Sequence, residues 1–182
     1  LASNSPRRRE LLAGLDIDYR VTALPEVDES YPDTLSGEEI PLYISQEKAA
    51  AYRRFMKDNT LLITADTIVW LDGKVYGKPR NTADAKAMLQ ALSGKTHTVI
   101  TGVTLTSLQK QISFAVSTEV TFAALGDDEI DYYVETYRPL DKAGAYGVQE
   151  WIGYIGVTGL KGSYYNVMGL PIQRLYTELK KF

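Results

Sequence analysis

Leu61-Leu62-Ile63-Thr64-Ala65-Asp66-Thr67-Ile68-Val69-Trp70 is a near-continuous apolar run with one acid in its middle. Its length and its β-branched residues read as a central strand buried on both faces. An unpaired carboxylate is costly to bury, so Asp66 must be paired, protonated or bound to metal. A structural Asp bonded to backbone N–H groups would also satisfy it. A functional acid is the better reading, because packing alone needs no acid there.

Downstream, Leu71-Asp72-Gly73-Lys74 is a hairpin turn signal. Val75–Tyr76 returns, and Gly77-Lys78-Pro79-Arg80 leaves the sheet. Lys78 then lies where it could reach back towards Asp66, or stand as an exposed loop lysine. Upstream, a long helix is expected to about Met56, with Pro41 in its first turn. The helical neighbours of Lys48 are Ile44, Ala51 and Tyr52, an apolar face. A lysine there either snorkels outward along its stem or meets a buried anion. The stretch from Pro25 to Pro41 is polar and loop-like. Spacing alone gives Asp28 and Glu29 within it a solvating role.

Residues 1–3 read as the end of a short strand, and Asp18–Thr22 alternates like another. Between them, Ser3-Asn4-Ser5-Pro6-Arg7-Arg8-Arg9 opens a helix over 6–14 that Gly14 stops. Ser5 suits an N-cap and Pro6 the first helical position. The arginines fall where the helix dipole prefers negative charge. Free N–H groups, hydroxyls and guanidiniums together make a phosphate receptor, the alternative being a solvated basic helix start.

In the second half, Thr82–Leu92 reads as a helix capped by Asn81 or Thr82. Two β runs follow, Thr96–Thr106 and Ile112–Leu125, as an antiparallel pair. His97, alone in the first run, reads as a structural hydrogen bonder. Asp127–Tyr137 is a helix with acids in its first turn. Gly144 and Gly147 flank Tyr146, which suggests backbone passing close to a ligand or a neighbouring element. Gly153, Gly156, Gly159 and Gly162 punctuate a β-like segment. Ser163–Leu170 follows, and Pro171 starts a last helix to Lys181. No linker, repeat or low-complexity segment divides the chain.

The 182 residues suffice for one domain, or one domain with two lobes. Hydrophobic residues are 45% and charged residues 24%, ordinary for a soluble globular protein. No apolar run is long enough for a membrane span. No signal peptide is visible, and the chain starts at Leu1 without Met, so its native start can lie upstream. Cysteine is absent, which excludes disulfides, cysteine nucleophiles and cysteine metal sites. With one histidine, a multi-histidine metal site is excluded, and a bound metal must take oxygen ligands, as Mg²⁺ or Mn²⁺ do. A net charge of −3 argues against nucleic acid as partner.

The chemistry-bearing set is therefore Arg7, Arg8, Lys48 and Lys78 with Asp66, joined by Glu29. No Ser-His-Asp set or nucleophile elbow exists. Cations with one buried acid suit phosphate chemistry, where positioning and charge neutralisation dominate.

Six motifs then carry a resemblance. They are Ser3-Asn4-Ser5-Pro6-Arg7-Arg8, Ala65-Asp66-Thr67, Gly77-Lys78-Pro79, Leu92-Ser93-Gly94-Lys95-Thr96-His97, Asp141-Lys142-Ala143-Gly144-Ala145-Tyr146-Gly147-Val148-Gln149, and Gly162-Ser163-Tyr164 with Val167-Met168-Gly169-Leu170-Pro171. In this order, over the whole length, they resemble the Maf family of nucleoside triphosphate pyrophosphatases, the septum-formation-inhibitor-like proteins. Arg7-Arg8, Thr67 and Gln149 are similar to its dTTP/UTP branch rather than the branch acting on 7-methyl-GTP. Glu150-Trp151 departs from the family pattern, in which glycine commonly follows that glutamine.

The resemblance implies a mixed α/β (α+β), two-lobed Maf/ITPase-like fold, a long twisted mixed sheet with flanking helices and a central cleft, in one domain over 1–182. It implies hydrolysis of a nucleoside triphosphate between the α- and β-phosphates, as house-cleaning of non-canonical pyrimidine nucleotides. It further implies a divalent cation, often a homodimer, and a cytoplasmic enzyme. Asp66 matches the proton acceptor, and Asp66 and Glu29 are the expected metal ligands. Lys48 and Glu29 match further catalytic positions. Ser5, Arg7, Arg8, Thr67, Lys78 and Gln149 match substrate-binding positions, with Arg8, Thr67 and Gln149 tied to substrate choice. The amide of Gln149 carries a donor and an acceptor, which matches the N3–H and carbonyl edge of uracil or thymine. A non-catalytic nucleotide sensor of cell division is the alternative from another class.

Overall fold

The computed structural model describes residues 1–23 and 27–182, so Pro25, where the expected polar loop begins, lies outside the described residues. The chain divides into two compact units. The first comprises Leu1–Thr67, Ile100–Val116 and Gly169–Phe182, and the second Ile68–Val99 and Ser117–Met168.

The strands are β1 (Leu62–Leu71), β2 (Lys74–Tyr76), β3 (Thr96–Thr106), β4 (Gln111–Phe122) and β5 (Val157–Lys161), in the spatial order β2-β1-β3-β4-β5. Val69 pairs with Tyr76 and Leu71 with Lys74 around the Asp72-Gly73 turn, as the sequence predicts. Pairing of β4 with β5 is also antiparallel. Thr67 faces Thr101 and Thr64 reaches Thr104, which makes β1 and β3 antiparallel too. The mixed α/β class holds, but the sheet is antiparallel rather than mixed. Tight turns return β1 into β2 and β3 into β4, and a two-stranded return of that kind can only be antiparallel.

In the first unit, α1 (Pro6–Ala13) begins as expected, with the Ser5 hydroxyl accepting from the backbone N–H of Arg8 at 3.4 Å. Helix α2 (Glu39–Arg53) buries Ile40, Pro41, Ile44, Ser45, Lys48 and Ala49. It lies against β3 so closely that a Cβ on Gly102 would fall 2.3 Å from the Pro41 carbonyl carbon. This helix ends at Arg53, short of Met56. The expected Asp18–Thr22 strand is one parallel bridge, Ala2 to Thr22. Helix α7 (Ile172–Leu179) closes the chain.

The second unit has its own apolar core. Helices α3 (Thr82–Leu92) and α4 (Asp127–Tyr137) supply Ala85, Leu89, Leu92, Ile130, Tyr133 and Val134 to it, with Val69, Val99 and Phe122 from the strands. The four-glycine segment is not all β. Its first half is the short helix α5 (Trp151–Gly156), and only then does β5 follow. Ile152 and Gly156 are buried one turn apart, the helical period, which explains the difference. Helix α6 (Tyr164–Met168) lies inside the Ser163–Leu170 stretch. His97 is a buried structural residue, its Nε2 2.6 Å from the Tyr146 hydroxyl. Among the described residues, no helix is long and apolar enough to cross a membrane.

Candidate active site

Two faces of β1 carry the chemistry of the first unit. Consecutive residues of a strand point to opposite faces. Thr64 and Asp66 turn towards α2, and Ala65 and Thr67 turn away. On the α2 side, Lys48 Nζ donates to Asp66 Oδ1 at 2.8 Å and lies 2.8 Å from Glu29 Oε1. The Lys48 side chain is 5% exposed, that of Asp66 12% and that of Glu29 48%. Lys48 therefore meets an anion instead of snorkelling, and Asp66 is paired. Helix α2 sets this geometry through a second contact one turn earlier. The Thr64 hydroxyl donates to the Ser45 carbonyl at 2.7 Å, and Ser45 Oγ lies 2.8 Å from Thr104 Oγ1. Those bonds satisfy the polar groups of an otherwise apolar contact.

On the other face Arg8 is nearly saturated by protein. Its Nε donates to the Gly169 carbonyl at 2.8 Å, Nη1 to the Ala65 carbonyl at 3.0 Å and Nη2 to Thr67 Oγ1 at 3.0 Å. Thr67 Oγ1 in turn lies 2.9 Å from Thr101 Oγ1. Burial lowers the pKa of Arg8, while the charges of Asp66 and Glu29 act to raise it and Arg7 to lower it. The three acceptors explain how a cation is held in the first turn of a helix, against the dipole. Arg7 is half-buried beside it. Arg9 donates to the Ser3 carbonyl through Nε at 3.3 Å and Nη2 at 3.1 Å.

Ser5, Arg7, Arg8, Glu29, Lys48, Asp66 and Thr67 thus all lie in the first unit, with Lys48 joining Glu29 to Asp66, and Arg8 bonded to Thr67. Lys78 and Gln149 belong to the second unit. Lys78 is exposed between β2 and α3. Its segment is tied to the Gln149 loop by the N–H of Gly144, which donates to the Gly77 carbonyl at 3.1 Å. Gln149 is half-buried, and its Oε1 is buried without a hydrogen-bond partner. Tyr133, Lys142 and Glu150 surround this loop; sequence reasoning marked Glu150 only as a departure from the family pattern and did not single out Tyr133 or Lys142. Tyr133 on the apolar face of α4 was the one available signal, because a buried tyrosine hydroxyl needs a partner.

The donors near Lys48 are carboxylate oxygens, which suit a hard cation such as Mg²⁺ or Mn²⁺. Among the described residues, no group of three or more His, Cys, Asp or Glu is placed to hold a metal ion. Asp66 and Glu29 could offer two carboxylates to such an ion, and Mg²⁺ commonly takes one or two carboxylates with water and phosphate oxygens.

A family model described as "Maf-like protein" matches residues 1–182. A Phocaeicola vulgatus protein named dTTP/UTP pyrophosphatase is 68% identical over 181 residues, covering 100% of this chain and 94% of the relative. A Bacteroides fragilis protein of the same name is 64% identical, with the same coverage. One from Flavobacterium psychrophilum, named likewise, is 48% identical over 179 residues, covering 98% of this chain and 91% of the relative. A model matched from end to end, and relatives this similar over nearly their whole length, establish that the chain belongs to the Maf family.

Proposed function

We propose that this chain hydrolyses dTTP, UTP and modified pyrimidine nucleoside triphosphates between the α- and β-phosphates. The products are the nucleoside monophosphate and pyrophosphate. The observation that carries the proposal is the buried Lys48 held between Asp66 and Glu29, an acid and a cation placed where packing needs neither. The relatives' printed name, dTTP/UTP pyrophosphatase, supports the same substrate class.

In the reaction, water attacks phosphorus at the α–β linkage and the bridging P–O bond breaks. The proton of that water passes to a carboxylate oxygen of Asp66. Lys48 holds the carboxylate through Oδ1, and in this reading Oδ2 is the oxygen that takes the proton. Asp66 and Glu29 are the residues to hold a divalent cation, which when bound would polarise phosphoryl oxygens and favour ionisation of water. Ser5, Arg7 and Lys78 contribute hydroxyl and positive charge to the phosphates. Arg8 acts with Thr67, since three of its N–H groups already hold protein acceptors. Gln149 reads the base edge with its amide. The proposal includes one domain over the whole chain, a homodimer, a cytoplasmic setting and no nucleic-acid partner.

The test is pyrophosphate release from a panel of nucleoside triphosphates with Mg²⁺ or Mn²⁺. UTP and dTTP should be turned over ahead of ATP and GTP. Binding of UTP with no release of pyrophosphate would leave a nucleotide sensor instead.

A further inference from the structure

The turn that carries Gln149 is clamped at both ends by one buried polar cluster. Its backbone closes through the Glu150 N–H, which donates to the Gly147 carbonyl at 3.0 Å, leaving Val148 and Gln149 at the two central turn positions. The N–H of Gly147 donates to the Tyr133 hydroxyl at 3.0 Å. That hydroxyl donates in turn to Glu150 Oε2. The other carboxylate oxygen, Oε1, lies 3.1 Å from Lys142 Nζ, which also lies 2.9 Å from Asp141 Oδ1. Tyr133 is fully buried and Lys142 is 8% exposed. The side chains of Glu150 and Lys142 cross directly over Gly147, where a Cβ would stand 2.9 Å from Glu150 Cδ and 3.1 Å from Lys142 Cε.

Glu150 precedes α5, where a side-chain oxygen would ordinarily cap the helix. It makes no cap bond there and turns to Tyr133 and Lys142 instead. Burial and the neighbouring Glu150 charge raise the pKa of Tyr133, so its hydroxyl stays a neutral donor. Gln149 Oε1 is left buried with no hydrogen-bond partner. A buried acceptor without a bond is costly unless a ligand supplies the donor.

We propose that Glu150, held by Tyr133 and Lys142, is a positioning residue that fixes Gln149 Oε1 to accept from the N3–H of the substrate base, where cytosine presents a lone pair instead. It thereby favours bases with an N3–H, uracil and thymine, over cytosine. This rests on the pyrimidine pyrophosphatase reading of the chain. Glu150 and Tyr133 act through the turn and touch no substrate.

The experiment compares wild type with Tyr133→Phe, Glu150→Gln, Glu150→Ala and Gln149→Ala, each assayed for pyrophosphate release from UTP and CTP, with thermal midpoints recorded. Glu150→Ala and Tyr133→Phe should raise KM for UTP about tenfold with little change in kcat, and lower the UTP-over-CTP preference by a similar factor. Glu150→Gln keeps an acceptor for Tyr133 and should fall between wild type and Glu150→Ala. In a Gln149→Ala background, Tyr133→Phe should cause no further loss of preference. If the variants fold but keep the wild-type UTP-over-CTP ratio, while Gln149→Ala loses it, the clamp is overturned and the base-reading glutamine survives. An unchanged ratio in Gln149→Ala overturns both the clamp and that role of Gln149. No pyrophosphate release from any nucleotide by wild type overturns the reading of the chain itself.

Discussion

The ammonium of Lys48 donates to Oδ1 of Asp66 at 2.8 Å, from a side chain only 5% exposed. Each partner stands on an apolar surface, and each is there because the other is. Removing one leaves the other buried and unsolvated. Lys48→Met should therefore cost about 3 kcal/mol of stability. The half-exposed Glu29 keeps the loss from being larger, because it can return to water. Urea denaturation measures this, and an unchanged midpoint would show that the pair contributes no net stability.

Arg8 and Thr67 should behave as one unit. Lysine at position 8 keeps the charge but cannot fork to Ala65, Thr67 and Gly169 together. Arg8→Lys and Thr67→Val should each weaken UTP selectivity. A double-mutant cycle on stability should give a coupling of about 1 kcal/mol. Strict additivity would mean that the Arg8–Thr67 bond carries no coupling.

Much of the first unit was legible in its sequence. Asp66 stood out because a carboxylate interrupts an apolar run, and Lys48 because its helical neighbours are apolar. Each was a local violation whose remedy had to be long-range, and the two remedies are one ion pair. Glu29 was not legible by spacing, because a loop acid looks like any solvated acid, and the resemblance is what gave it a matched position. The tether of Arg9 was hidden for a related reason, since its acceptor, the Ser3 carbonyl, is a backbone atom that no side-chain pattern reveals. The Gly153–Gly162 segment misled through its glycines, whereas burial of Ile152 made half of it helix. Tyr133 and Glu150 are far apart in sequence, so their bond left no periodic trace.

His97 gives the stability a pH dependence. Burial lowers its pKa from 6.5 to about 4. The folded state thus holds it neutral while the unfolded chain binds a proton below about 6.5. Its contribution is fully present above pH 6.5 and is lost as pH falls towards about 4. Within that window the loss should approach about 1.4 kcal/mol per pH unit. Denaturation of wild type and His97→Gln at pH 7 and pH 5 reads the difference between them. Equal pH slopes in the two proteins would contradict the assignment.

Gly102→Ala should be among the most disruptive single-methyl additions in the first unit. The new Cβ would lie 2.3 Å from the Pro41 carbonyl carbon and 2.5 Å from the Leu42 nitrogen, both backbone atoms of α2. Relief requires α2 to shift, which should cost about 3 kcal/mol. The same shift would carry Lys48 away from Asp66, so activity should fall along with the thermal midpoint. A variant with wild-type midpoint and rate would show that α2 moves freely.

The most direct test of the central claim is the product balance from UTP with Mg²⁺, for wild type beside Asp66→Asn. Wild type should yield UMP and pyrophosphate in equal amounts. Asp66→Asn should lose at least about a hundredfold in kcat while still binding UTP. Full turnover by Asp66→Asn would remove Asp66 from the chemistry, and UDP with inorganic phosphate from wild type would contradict cleavage between the α- and β-phosphates.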